Sequence, residues 1–241
     1  RARRVGRDIF DIDLGAAADA AVISPLAQHR PQRFRPGGGL QRQVDETGAG
    51  DVDLGDQRVS AQPFGDLLGE VARDAEVAGA RVVIGDRDVE ALGAAVEGLK
   101  EEGNVDAHPV DVTDPTSFKR FLEAAAAGGP VDVLINNAGV MPIGPFLSTS
   151  DGAIRSMLEV NLYGVINGCR LALPEMVARR GGQIVNIASL LSFQGGIRVP
   201  SYTASKHGVA GLTRLMANEW AARGLNVNAI APGYIETNNT E

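Results

Sequence analysis

The sequence predicts an α/β protein built on a doubly wound parallel sheet, incomplete or degenerate at its first and last strands. Three observations lead there. From about Arg81 onward, short apolar runs rich in β-branched residues alternate with stretches of helical period. The alternation repeats at the spacing of right-handed crossovers, which lay strands side by side in parallel with helices on both faces. Polar clusters at Asp86, Asn136-Asn137-Ala138-Gly139 and Ser189 fall where strands should end. Open sheets of this kind bind ligands at those carboxyl ends.

The elements follow in order. RVVIG (81–85) reads as a buried strand, and 88–101 as a helix whose apolar positions are Val89, Leu92, Val96 and Leu99. VDAHPVDV (105–112) is the next strand. Asp114-Pro115 then supplies an N-cap and a first-turn proline for a helix from Thr116 to Ala127. VDVLI (131–135) is a strand running into the turn NNAG. Residues 150–180 have helical character, with Pro174 as the expected kink. QIVNIAS (183–189) is a strand, 202–222 a helix, and LNVNAIA (225–231) a last strand closed by Pro232-Gly233.

Residues 1–75 do not keep this rhythm. They mix arginines and carboxylates with scattered prolines and Gly37-Gly38-Gly39. AAVI (20–23) is their best apolar patch, and VDLGDQRVS (52–60) makes at most a poor strand. The expected organisation is therefore a poorly ordered segment over 1–75 and one α/β domain over 76–241. The chain starts at Arg1 rather than Met and stops in a polar run at Glu241, which reads as a fragment or a processed chain.

Composition excludes several classes of function. With 241 residues, 44% of them hydrophobic, the chain can bury one substantial core. Its net charge of −7 offers no general attraction for nucleic acid or anionic membrane, so neither is an expected partner. No apolar run approaches a membrane span, and no signal-type stretch follows the basic N-terminus. The single cysteine, Cys169, excludes an intrachain disulfide and fits a reducing, cytoplasmic setting. It has no partners at metal-ligand spacing, and no metal site is expected.

The chemistry concentrates in Tyr202-Thr-Ala-Ser-Lys206. Residues four apart share a helix face, so the lysine can approach the tyrosine. A phenol titrates near pH 10, too high for a base at neutral pH, and a neighbouring ammonium should lower it. A Tyr–Lys pair alone is common on helix surfaces. In combination with Asp86, Asp111-Val112, NNAG, Asn161, Ser189 and Pro232-Gly233, in this order and at these strand ends, it is specific. From about Ala75 to Glu241 the chain resembles the short-chain dehydrogenase/reductase family.

The resemblance implies a Rossmann-like fold and an NAD(P)-dependent oxidoreductase. Hydride would move between the nicotinamide and a secondary alcohol or ketone, a small molecule. Tyr202 would be the general acid/base. Ser189 would hydrogen-bond the reacting oxygen, Lys206 would bear on Tyr202 and a ribose, and Asn161 would hold a water leading from Lys206 to solvent. Ser192 also lies close, at a spacing that matches the family less well. The cofactor positions implied are Asp86, Asp111, Val112, Asn137, Ala138, Gly139, Tyr202, Lys206, Pro232, Gly233 and Thr237. Asp86 would accept hydrogen bonds from an adenosine ribose diol, which favours NAD. Arg87 beside it would tolerate a 2′-phosphate, so NADP is possible. NNAG has a second reading, as a turn that fixes the central strand. A homo-oligomer is implied if the domain is fully folded. The ending PGYIETNNTE is similar to family members acting on sugar acids, and the body is also similar to 3-oxoacyl reductases. An epimerase or dehydratase of the extended branch also carries the Tyr–Lys spacing, but NNAG and the compact spacing speak against it.

Two departures limit the resemblance. The family opens with a strand and a turn of form TGxxxGxG, whose N–H groups cradle the cofactor pyrophosphate. The first glycine should fall about 24 residues before Asp86, close to Gln62. Gln62, Asp66 and Leu68 stand at the glycine places of RVSAQPFGDLLGEV (58–71), with Gly65 and Gly69 out of register. Thr47-Gly48-Ala49-Gly50 lies too far upstream and follows no strand. The chain also ends a few residues past Thr237, where the family continues with a substrate lid and a last strand. The missing first strand would lie between 81–85 and 131–135, leaving that slot to residues 50–60 or to nothing. The expectation is that residues 1–75 are not native to the family fold. The alternative function is then a non-catalytic or truncated remnant that lacks the cofactor loop.

Overall fold

The computed structural model describes residues 20–25, 80–99 and 105–233. Within them six strands form one sheet: β1 (Ala20–Pro25), β2 (Ala80–Asp86), β3 (Val105–Pro109), β4 (Val133–Asn136), β5 (Gly182–Ile187) and β6 (Leu225–Ile230). Five α-helices accompany them: α1 (Val89–Leu99), α2 (Pro115–Ala126), α3 (Asp151–Leu158), α4 (Gly164–Arg179) and α5 (Pro200–Trp220). The strand order is β3-β2-β1-β4-β5-β6. The β2–β3, β4–β5 and β5–β6 pairs are parallel, as the alternation of strands and helices predicts.

The central slot differs from expectation. It is filled by neither residues 50–60, which lie outside the described residues, nor by nothing. The apolar patch AAVI enters it as β1, antiparallel to both neighbours. Val22 sits opposite Val83 on one side and Leu134 on the other. The physical reason is the slot itself. Two apolar strands with unpaired inner edges present a template that an extended apolar segment can satisfy in either direction. Direction decides what the strand delivers. Ala20 pairs with Gly85 and Asn136 at the carboxyl ends of the parallel strands, whereas Pro25 pairs with Ala80 at the amino end. The carboxyl end of β1 therefore lies at the end of the sheet opposite Asp86 and NNAG.

The core forms mainly on one face. Phe118, Phe121, Leu122 and Ala125 line one stripe of α2, at helical spacing, and are buried. They join Val165, Cys169 and Met176 of α4, Val209 and Met216 of α5, and Val83, Leu134, Ile184 and Val227 of the sheet. Each large side chain so buried contributes about 1.5–3 kcal/mol. Ile135 and Ile187 point the other way, with Val133, Val185 and Ile230 packed around them. In β2, Val82, Val83 and Ile84 are all buried, the mark of a strand covered on both faces. In α1 only Leu92 and Leu99 are buried, and Val89 is exposed.

The caps fall where the sequence puts them. Asp114 accepts from the Thr116 N–H at 2.8 Å, with Pro115 in the first turn of α2. The strand expected over 105–112 ends at Pro109, and Asp111 turns the chain by accepting from the N–H and hydroxyl of Thr113. The helical stretch 150–180 is interrupted not at Pro174, which lies inside α4, but by a π-turn at Glu159–Tyr163. At the far end of the sheet Arg179 bonds Asp132 and the Val131 carbonyl, tying α4 to the start of β4.

Candidate active site

The site lies at the carboxyl ends of β4 and β5, where α5 begins. Beyond β5, Ser189 caps a short 3-10 turn over Leu190–Ser192, and its Oγ accepts from the Leu191 N–H at 3.2 Å. That contact uses a lone pair, so the one Ser189 hydroxyl proton is free to point elsewhere. The Ser189 side chain lies close enough to the Tyr202 phenol to act on its titration. Pro200 starts α5 and places Tyr202 in its first turn, half-buried.

One turn on, Lys206 is 4% exposed. Its Nζ donates to the Ile187 carbonyl at 2.6 Å and stands 5.6 Å from the Tyr202 ring centroid. Burial pulls the Lys206 pKa down to about 8, so the ammonium is still mostly charged at neutral pH. The Tyr202 phenol moves upward, because burial penalises the phenolate and the Ser189 side chain only opposes this. The expected lowering by a neighbouring ammonium is thus not what prevails. Desolvation is the largest cause, opposed by Ser189, and the ammonium is engaged at Ile187.

Asn161 is fully buried within the π-turn. Its amide closes a two-bond clamp on Val140, donating to the carbonyl at 2.9 Å and accepting from the N–H at 2.8 Å. It also donates to Ser205 Oγ at 3.3 Å, and Ser205 in turn donates to the Tyr202 carbonyl at 2.7 Å. Asn161 fixes the loop after NNAG to the helix that carries Tyr202. Gly139 lies against the same group, since a Cβ there would sit 3.8 Å from Lys206 Nζ and 3.6 Å from Asn161 Oδ1.

The other expected positions divide. Asn136 works inside the sheet, donating from Nδ2 to Asn186 Oδ1 at 2.9 Å, with Asn186 donating onward to Thr213. Cys169 joins this network, and its burial pushes the thiol up to about 12. The strand-fixing reading of NNAG therefore holds for its first asparagine. Asn137 is half-buried, Ala138 buried and Gly139 exposed along the turn. Asp86 ends β2 half-buried and accepts from the Asp88 N–H at 2.8 Å. Asp111 is exposed, its carboxyl held low mainly by the Thr113 hydroxyl, and Val112 is buried. Pro232 accepts from the Leu190 N–H at 2.8 Å, which pins the end of β6 to the Ser189 turn, and Gly233 follows it. Thr237, residues 58–71 and Thr47–Gly50 lie outside the described residues. Sequence reading missed Ser205, Val140 and the Ile187 carbonyl. Only Ser205 had a signal, its place one turn from Tyr202 within YTASK.

A doubly wound α/β sheet with a buried lysine, a tyrosine and a serine converging at its carboxyl ends defines a Rossmann-like class of protein with its site at those ends. Within that class the assignment is specific: the model of the family described as short chain dehydrogenase matches residues 68–241, and the chain belongs to that family. It is 53% identical over 119 residues to 2-dehydro-3-deoxy-D-gluconate 5-dehydrogenase of Escherichia coli (strain K12), covering 49% of this chain and 47% of that protein. The Bacillus subtilis (strain 168) protein of the same name is 42% identical over 160 residues, covering 66% and 63%. The chain thus spans about half to under two-thirds of these relatives. A gluconate 5-dehydrogenase from Burkholderia cenocepacia J2315, solved in complex with NADP and tartrate, superposes with a TM-score of 0.64 at 34% identity, covering 70% of this chain and 67% of that one. Among the described residues no helix is long and apolar enough to cross a membrane, and no cluster of three metal-ligating groups occurs.

Proposed function

We propose that residues 76–241 form an NAD(P)-dependent oxidoreductase that interconverts a secondary alcohol and a ketone. The observation that carries this is the convergence of Ser189, Tyr202 and Lys206 with the Asn161 clamp at one edge of the sheet. The donor set fits the nicotinamide-ribose end of the cofactor. A buried ammonium has three donors, and one of them goes to Ile187, so others can serve a ribose diol. Asp86 could hold the adenosine ribose, with Asp111-Val112 at the adenine, Asn137-Ala138-Gly139 alongside, and Pro232-Gly233 with Thr237 toward the nicotinamide amide. When bound, the nicotinamide supplies or accepts the hydride.

The chain's own residues handle the proton. In reduction the Tyr202 phenol donates to the carbonyl oxygen as it becomes an alcohol. In oxidation the phenolate removes the alcohol proton. The Ser189 hydroxyl donates to that same oxygen and steadies its developing charge. Lys206 places positive charge beside the phenolate. Because burial raises the Tyr202 pKa, the phenolate fraction grows only in the alkaline range. Oxidation should therefore accelerate with rising pH, and reduction should be favoured toward neutrality.

For the substrate we propose a hydroxy or keto sugar acid. The relatives named for 2-dehydro-3-deoxy-D-gluconate and the NADP–tartrate complex support this class. Asp86 favours NAD, while that complex and Arg87 speak for NADP; we take NAD as the preferred cofactor and NADP as usable. A cytoplasmic location and a homo-oligomer complete the proposal. A second reading, the non-catalytic remnant, has one observation in its favour. β1 is antiparallel to both neighbours and its carboxyl end, Pro25, pairs with Ala80 rather than lying beside Asp86 and Asn136, where a family phosphate loop would follow. The deciding experiment measures NAD(P)-linked turnover of sugar acids by the chain and by Tyr202→Phe. Turnover that falls about 10²–10⁴-fold in a folded variant supports the first reading. Undiminished turnover removes Tyr202 as acid/base, and a folded wild-type chain with no turnover supports the remnant.

A further inference from the structure

We propose that Ser192 is a positioning residue that locks Ser189 to the Tyr202–Lys206 turn, an inference that rests on the oxidoreductase reading above. Ser192 is 4% exposed and sits in the 3-10 turn after β5. Its one hydroxyl serves two candidate catalytic residues at once. It accepts from the Ser189 N–H at 3.2 Å and donates to the Lys206 carbonyl at 2.7 Å. Ser189 belongs to the end of β5, and Lys206 to α5. Through the Ser192 oxygen the backbones of Ser189 and Lys206 are joined by a pair of hydrogen bonds, although Lys206 lies fourteen residues beyond Ser192 in sequence.

That join controls a soft contact. Ser189 and Tyr202 stand on different elements, Ser189 in the turn after β5 and Tyr202 in α5, and their side chains must meet at the reacting oxygen. Nothing in either element alone fixes their separation. Removing the Ser192 hydroxyl leaves the Ser189 N–H buried without its acceptor, a state that proteins relieve by moving the backbone. The displaced group would be Ser189 itself. The consequence falls on chemistry before cofactor binding, because the Lys206 ammonium keeps its own hold on Ile187.

Two readouts test this. The first is turnover and cofactor KM of Ser192→Ala, Ser192→Cys and Ser192→Thr. The second is the titration of the Tyr202 phenol, followed by NMR of ¹³C-labelled tyrosine and assigned with Tyr202→Phe, which needs no turnover. In Ser192→Ala we expect kcat to fall about tenfold, or about 1.4 kcal/mol of barrier. The cofactor KM should hold, and the Tyr202 midpoint should move to higher pH as Ser189 is displaced from the phenol whose upward shift it opposes. Ser192→Thr keeps the hydroxyl and should recover both, and Ser192→Cys, a weaker donor, should fall between and keeps the test readable if the alanine variant does not fold. A variant that loses thermal stability but keeps the wild-type kcat and Tyr202 midpoint overturns the proposal. If wild type shows no turnover while Ser192→Ala still moves the Tyr202 midpoint, the positioning role stands and the oxidoreductase reading fails.

Discussion

Lys206 combines an ammonium with near-complete burial, and this has a cost that pH can expose. Its pKa in the folded chain is about 8, against about 10.4 for an unperturbed lysine. Between these values the unfolded chain holds a proton that the folded chain has released, so this residue makes stability rise with pH across that window. The difference in unfolding free energy between wild type and Lys206→Met should therefore shift toward wild type by about 1–3 kcal/mol from pH 8 to 10. Denaturant titrations at several pH values measure it, and a constant difference would contradict the burial argument. Groups raised by burial, Cys169 and Tyr202, act oppositely in this range but are present in both proteins. At this scale the sequence was legible where side chains sit at a fixed spacing, as in Tyr202 and Lys206. It was not legible where a residue acts through backbone groups. The Asn161 clamp on Val140 and the Ile187 carbonyl leave no pattern of residue types, because every residue has an N–H and a C=O.

Among the elements, α2 shows how a cap and a stripe divide the work. Its stripe supplies two phenylalanines that are at most 1% exposed, with ring centroids 6.1 Å apart in an edge-to-face arrangement. Phe118→Ala should destabilise the fold by about 3–5 kcal/mol. Asp114→Ala, which removes only the cap, should cost about 1 kcal/mol. Equal losses for the two in chemical denaturation would mean that the stripe does not face the core. Both features were legible because period and capping chemistry are local. The π-turn at Glu159–Tyr163 was not. One extra residue in a helical turn barely disturbs an apolar period, yet it turns Asn161 inward to the loop after NNAG.

For the whole molecule, the decisive feature is the direction of β1. The sequence shows AAVI as an apolar patch, but β-propensity carries neither partner nor direction, and the nearest candidate by chain position was residues 50–60. With neighbours on both sides, β1 is a central strand, and a proline there removes a ladder hydrogen bond. Val22→Pro should lower stability by about 3 kcal/mol, read as a drop in the denaturant midpoint; an unchanged midpoint would remove residues 20–25 from the centre of the sheet. The same strand bears on function. It completes the sheet that carries Ser189, Tyr202 and Lys206, but its own carboxyl end lies at the opposite end of the sheet from them. Cofactor binding is therefore the property that β1 bears on most directly. The direct measurement is a fluorescence titration of the purified chain with NADH and NADPH. An oxidoreductase site at Tyr202 and Lys206 should give saturable binding in the micromolar range that Lys206→Met weakens; no saturable change, in a chain shown by circular dichroism to be folded, would contradict that site.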